Sequence, residues 1–337
     1  MVGALMDILQ STLSTTDFVD LYISNSFADV KGLAGADSPR VPVPDHWRED
    51  VAKLLENCRT GQARTNSPEF PIVHDETLYR VTFLDSNEPG GMYVLRRSTA
   101  ELRPLRSIGL PSYFVDAMLA SDAVGLIIIC GGFGVGKTSV AQSWLIARLE
   151  EHGGISLSIE DPIETNTQGV HGRGRSIQVA ATSQNGGYKE QLKRGLRSGV
   201  DFIFLGEIRD GETAFEAIKA GSNGELLATT FHASDPIAAI QRLIALGSEY
   251  AKSELSVPKL LAESLLGVLW LDLTDEPRQG GGVFRRLDTS ALLVAGSGSA
   301  GVREKIRSGH ISALNQDIEQ QANQQAYQQP WRSHANK

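Results

Sequence analysis

The stretch that most constrains this chain runs from residue 124 to residue 152. An apolar run, "VGLIIIC" (124–130), enters a glycine-rich turn, and an amphipathic stretch, "SVAQSWLIARLEEH" (139–152), leaves it. Between them, Gly131-Gly132-Phe133-Gly134-Val135-Gly136-Lys137-Thr138 fits G-x-x-x-x-G-K-[ST]. A strand that turns through glycines straight into a helix points several backbone N–H groups into one small space. The positive end of the helix dipole faces the same space. Such a loop holds phosphates. Lys137 is placed to reach the β- and γ-phosphates, Thr138 to offer its hydroxyl to Mg²⁺, and Ser139 continues the phosphate-facing first turn. The expected ligands are ATP and Mg²⁺.

From this loop onward, strand-like and helix-like runs alternate. They are "ISLSIED", "YKEQLKRGLRS", "DFIFLGEI", "GETAFEAIKAG", "ELLATTF" and "DPIAAIQRLIAL". Alternation of this kind predicts an α/β fold with a largely parallel sheet covered by helices. A helical region is expected from about residue 237. Residues 1–103 read as a separate α+β domain. "FVDLYIS" (18–24), "LYRVTFL" (78–84) and "GGMYVLRRS" (90–98) are strand-like; "DHWREDVAKLLENC" (45–58) puts Trp47, Val51, Leu54 and Leu55 on one helical face. The expected organisation is therefore 1–103, a core over 104–315, and a Gln-rich tail over 316–337, frayed or disordered by composition.

Three further stretches carry polar groups at strand ends. "DFIFLGEIRD" (201–210) ends on Glu207, in a strand expected next to the phosphate-loop strand, where a carboxylate can polarise a water for in-line attack on a γ-phosphate. Arg209 and Asp210 there read as a surface pair. "SIEDPIE" (158–164) gathers Glu160, Asp161 and Glu164, acids that can hold Mg²⁺ or its waters, or form a solvated turn. "TTFHASDP" (229–236) puts Thr229, Thr230 and His232 after another apolar strand; they are either structural or sensors of the γ-phosphate.

Net charge is −8, which argues against a nucleic-acid partner. The N-terminus lacks the basic start and apolar core of a signal peptide, and no run approaches the roughly 20 apolar residues of a membrane span. Cys58 and Cys130 form no metal pattern, and a reducing cytoplasm is expected.

Together, the phosphate loop, "SIEDPIE", "GEIRD" (206–210) and "TTFHAS" resemble the secretion-ATPase superfamily, in particular its PilT/DotB/TraJ-like branch. They match its Walker A, Asp box, Walker B and His box. "IGLPSYFVDAMLASDAVGLIIICGG" (108–132) is similar to the family's lead into the loop. "TTDFVDLYIS" and "LYRVTFL…MYVLRR" resemble its N-terminal PAS-like domain, and "LLAESLLGVLWLDL" (260–273) and "VREKIRSGH" (302–310) its C-terminal helices. The resemblance implies a RecA-like P-loop NTPase core, a PAS-like domain and C-terminal helices. It also implies a homo-hexamer that hydrolyses ATP at the cytoplasmic face of the inner membrane and works on secretion, conjugation or pilus components. Carried over residue by residue, it implies Glu207 as the catalytic carboxylate, Glu160 and Glu164 as Asp-box acids, Glu160 also reaching Mg²⁺ through water, and His232 as the His-box histidine. Arg80 and Arg96, with Arg97 as a neighbour, match the N-terminal arginines, and Arg197 matches one before Walker B. Arg209 lies within the Walker B match.

Several positions depart from the family pattern. The usual "GPTGSGKST" is here "GGFGVGKTS", and Glu225 stands where the family has its first His-box histidine. Two distant cysteines cannot form the four-cysteine zinc module of type II and extension motors. The expectation is a motor of type IV secretion or conjugation. The alternatives are a pilus retraction motor and a non-hydrolysing nucleotide switch in such a machine.

Overall fold

A computed structural model describes residues 13, 16–98, 102–251, 256–277, 283–296 and 298–328. The chain divides into two compact units. One holds the residues up to Glu101 together with Glu160–Asn166 and Ala180–Gly187; the other holds Leu102–Ile159, Thr167–Val179 and the residues from Tyr188 onward.

The first unit contains β1 (Asp20–Ile23), β2 (Ala28–Lys31), β3 (Arg40–Pro42), α1 (Arg48–Thr65), β4 (Glu69–His74), β5 (Thr77–Leu84) and β6 (Met92–Arg97). The strands form one antiparallel sheet in the order β3-β2-β1-β6-β5-β4. One face of α1 is closed into the core by Val51, Leu54 and Cys58, with Trp47 just ahead of it and Leu55 partly buried. Facing them are alternate strand residues: Leu21 and Ile23, Phe70 and Ile72, Tyr79 and Val81, Tyr93 and Leu95. Only three of these six strands, β1, β5 and β6, are evident from the sequence. β2, β3 and β4 are short or carry Pro42 and Pro71, which blur the alternation.

The second unit opens with α2 (Ser112–Leu119), β7 (Gly125–Gly131), α3 (Lys137–His152) and β8 (Gly154–Glu160). It continues through β9 (Gly169–His171), β10 (Gly174–Ala180), α4 (Gly187–Arg197), β11 (Phe202–Glu207), α5 (Gly211–Ser222), β12 (Leu226–Phe231) and α6 (Pro236–Tyr250). It ends with α7 (Val257–Ser264), β13 (Leu265–Pro277), β14 (Val283–Leu293), α8 (Ser299–Arg307) and α9 (Leu314–Gln328). Its sheet has the order β14-β13-β7-β12-β11-β8-β10-β9. The run β13-β7-β12-β11-β8 is parallel throughout. All seven residues of β7 are buried, as befits a parallel strand covered on both faces. Trp144 and Leu145 of α3, Phe114 and Met118 of α2, Phe204, Ala228 and Leu269 pack into the same core.

Three expectations are corrected. β11 is not next to β7: β12 lies between them, so the strand leading into "TTFHAS" borders the phosphate-loop strand directly. "LLGVLWLDL" is not helical. After α7 the chain enters β13, which pairs in parallel with β7 and then antiparallel with β14. A short, wholly apolar run suits a buried strand and a buried helix alike; the open edge of β7 decides for the strand. The Gln-rich tail is not frayed at its start, since α9 reaches Gln328 and Gln321 exchanges hydrogen bonds with the backbone of Leu293 (2.8 and 2.9 Å). Residues 329–337 lie outside the described residues. Among the described residues no helix is long and apolar enough to cross a membrane.

Candidate nucleotide site

The turn from β7 to α3 has the shape its glycines dictate. Gly134 (φ 72°) and Gly136 (φ 89°) take the left-handed conformations open to glycine, and Gly136 is the N-cap of α3. Gly131 serves another purpose: a methyl group there would overlap the carbonyl oxygen of Leu271 on β13. Gly132, Phe133 and Gly134 are exposed, Val135 is buried beneath them, and Thr138 and Ser139 are half-buried in the first turn of α3. Lys137 is 8% exposed, and its ammonium donates to the carbonyls of Gly131 (3.2 Å) and Gly132 (2.5 Å). The charge therefore lies over the loop that the helix N-terminus faces.

Beside the loop stand the ends of β12 and β11. A one-residue irregularity at Gly206 shifts the register, so that Leu205 pairs with Thr229 but Glu207 with Thr230. Such a bulge re-aims the side chain that follows it. A side chain at Gly206 would meet the Ile159 carbonyl and the Tyr188 hydroxyl, each 2.9 Å away, so the bulge needs glycine there. Thr230 Oγ1 donates to the Gly206 carbonyl (2.5 Å) and ties the two strand ends together. Glu207 Oε2 then lies 3.9 Å from His232 Nε2, while Oε1 accepts from Arg209 Nε at 2.5 Å. Arg209 in turn lies 5.9 Å from the Tyr188 ring.

His232 sits between these groups. Its ring stacks on Phe133 with centroids 4.1 Å apart, and Lys137 Nζ lies 6.0 Å from the other partner, the Phe133 ring. Its backbone carbonyl accepts from Arg242 on α6 (2.8 Å). Burial, followed by the nearby Lys137 charge, lowers the His232 pKa from 6.5; Glu207 opposes the shift. The imidazole is thus held neutral near pH 7.

The structure brings Lys137, Phe133, His232, Glu207 and Arg209 together along the carboxyl ends of β7, β12 and β11. Other candidates lie elsewhere. Arg197 ends α4, ahead of the amino end of β11, and Glu225 precedes β12, so both stand at the opposite edge of the sheet. Asp210 is the N-cap of α5, accepting from the Thr213 backbone N–H (2.8 Å) and hydroxyl (2.9 Å), and makes no pair with Arg209. Glu160 ends β8 and is 2% exposed; Glu164 is exposed and its carbonyl accepts from the Ser98 hydroxyl. Both belong to the first unit by contact, as do the arginines of β5 and β6. Arg80 and Arg96 are cross-strand partners. Arg96 is spent on a two-pronged bond to the buried Asp20 (2.8 and 3.2 Å), and Arg97 donates to the Thr16 carbonyl (3.1 Å). Arg80 is exposed and, among the described residues, makes no hydrogen bond or ion pair. Sequence reading missed the Phe133–His232 stack, because 99 residues separate the partners, and it missed Arg242, which no motif marks.

A phosphate loop at the carboxyl edge of a parallel sheet, with an intervening strand before the acidic one, defines a RecA-like P-loop NTPase fold. The sequence profile of the type II/IV secretion system proteins matches residues 77–335, and the chain belongs to that family. The type II secretion system protein E of Pseudomonas aeruginosa is 35% identical over 236 residues, which is 66% of this chain and 44% of that protein. HxcR, a type II secretion system protein of the same organism, is 37% identical over 53% of this chain and 35% of its own length. The type IV pilus ATPase PilU, also from that organism, is 30% identical over 60% of this chain and 52% of its own. The chain thus spans about a third to a half of these relatives. Among solved structures, the pilus retraction motor PilT with bound ADP superposes with a TM-score of 0.68 (20% identity, 95% of this chain, 89% of that one). The DotB ATPase of Legionella pneumophila does so with 0.66 (17% identity, 93% and 86%).

Proposed function

We propose that the chain is an ATP hydrolase, a motor subunit of a secretion or pilus apparatus. The observation that carries this reading is the line Lys137–Phe133–His232–Glu207 along the carboxyl ends of three adjacent strands. The residues present fit a nucleotide and its metal. Glycine backbone lies open at the loop, a nearly buried ammonium rests on it, and the Thr138 hydroxyl is in the first helical turn. Mg²⁺, when bound, would neutralise phosphate charge, with Thr138 as its protein ligand and Glu160 a candidate through water. Lys137 would leave the loop carbonyls for the phosphate oxygens. Glu207 would accept the proton of the attacking water and is held in place by Arg209. Neutral His232, beside it, would report on the terminal phosphate. Arg80, which pairs with no carboxylate among the described residues, is the N-terminal arginine best able to meet phosphate charge.

The finer reading is a homo-hexamer at the cytoplasmic face of the inner membrane, serving type IV secretion or conjugation. The lack of a four-cysteine zinc module supports that branch. A type II secretion role is the second reading, favoured by the 35% identity to protein E. Steady-state ATP hydrolysis tests the common core. Wild type turns over with Mg²⁺, and Glu207→Gln binds ATP but loses at least about 100-fold in rate, the lower end of the range for a general base. Wild-type turnover in that variant would remove Glu207 as the base.

A further inference from the structure

We propose that Asp50, His74 and Asp75 form a binding site for a divalent first-row metal ion, with Zn²⁺ best suited to the donors. The three residues lie in the first unit, at the junction of α1 with the β4–β5 hairpin. One ligand atom from each lies within 4.8 Å of the others. His74 is the observation that singles out this cluster. On β4 the inward positions are Phe70, Ile72 and His74, so the alternation that buries two apolar residues buries an imidazole third. His74 is 9% exposed and, among the described residues, its Nε2 has no hydrogen-bond partner. Asp75 Oδ2 lies 3.6 Å away, too long for a hydrogen bond. A buried nitrogen left unpaired is costly, and one aimed at two carboxylates has an obvious remedy in a shared cation.

The other ring nitrogen is prepared for that role. His74 Nδ1 lies 3.3 Å from the side-chain amide of Asn57. With the amide turned so that its oxygen accepts from Nδ1–H, the lone pair of Nε2 faces the carboxylates; amide orientation is interchangeable on such a contact. An outer partner that fixes the tautomer is the usual support of a metal-binding histidine. Asp50 and Asn57 are seven residues apart on α1, two turns, and so share one face. Asp75 is carried by a two-residue turn in which it and Glu76 both have positive φ (46° and 60°). Lys53 lies 2.9 Å from Glu49 and 3.8 Å from Asp50, so its ammonium sits closer to Glu49, outside the cluster, than to Asp50 within it. One imidazole and two carboxylates, with water completing four-coordination, suit Zn²⁺; ligand distances of about 2.0–2.2 Å require the three atoms to close by roughly an ångström. The ion would clip the hairpin to α1.

The test uses the full chain, stripped with chelator, dialysed, and titrated with ZnCl₂ by calorimetry alongside thermal unfolding. We expect one Zn²⁺ per chain, a rise in Tm on binding, and affinity at least about tenfold weaker in both His74→Gln and Asp75→Asn, the lower end of the loss for a disturbed ligand set. Asp75 is exposed, so its variant folds even if His74→Gln does not. No binding by wild type, or equal affinity in wild type and Asp75→Asn, would overturn the site. Neither outcome is read through ATP turnover, and none of the three residues is among those assigned to the nucleotide site.

Discussion

His232 is the residue on which most of the site's electrostatics converge. Phe133 covers one face of its ring, and Lys137 adds positive charge nearby. Its pKa in the folded chain is therefore depressed. For a base this means that the unfolded chain binds the proton more readily, so stability falls as pH drops below the ordinary 6.5 toward the lowered value. We expect an NMR titration midpoint below 6.5 for His232, moving upward in Phe133→Ala as water reaches the ring. A midpoint unmoved by that substitution would show that the stack does not govern burial. Arg80 yields a second prediction. Because, among the described residues, it has no carboxylate partner while Arg96 has Asp20, Arg80→Ala should lower turnover about tenfold or more with nucleotide affinity nearly unchanged. Comparing kcat with the ATP dissociation constant would decide this, and normal turnover would exclude Arg80 from the site.

At the scale of elements, the sequence was most legible where local chemistry and tertiary setting agree. The glycine loop, its lysine and the strand and helix around it could be read directly. The run "DPIAAIQRLIAL" is α6, which Asp235 opens with a side-chain bond from the Ala238 N–H (2.7 Å). Legibility failed where a partner distant in the chain decides. Leu265–Leu271 becomes a strand because β7 offers it a parallel edge, and the order β7-β12-β11 follows from crossover connections that leave no local trace. The Gly131–Leu271 approach is similar, since nothing in the loop motif says that β13 passes behind it. From that approach we expect Gly131→Ala to destabilise the chain by about 2–3 kcal/mol, the cost of forcing a well-packed region apart. Urea denaturation would measure it, and a loss under 0.5 kcal/mol would mean that the β13 backbone yields.

For the whole molecule, the assembly proposed above is the property to test. We expect light scattering to give the mass of six chains when ATP and Mg²⁺ are added to Glu207→Gln, which retains nucleotide. A monomer mass at micromolar protein would count against a hexamer formed by this chain alone.

The passage of β13 beside β7 also limits how this chain can be divided. A fragment ending at α7 would keep every nucleotide motif, yet β7 would become a bare edge strand, with its backbone donors and acceptors open to another chain. The part that carries the phosphate loop is thus no portable module. A boundary drawn past β14 keeps β7 covered, and it also keeps the loop together with the strand that passes behind Gly131.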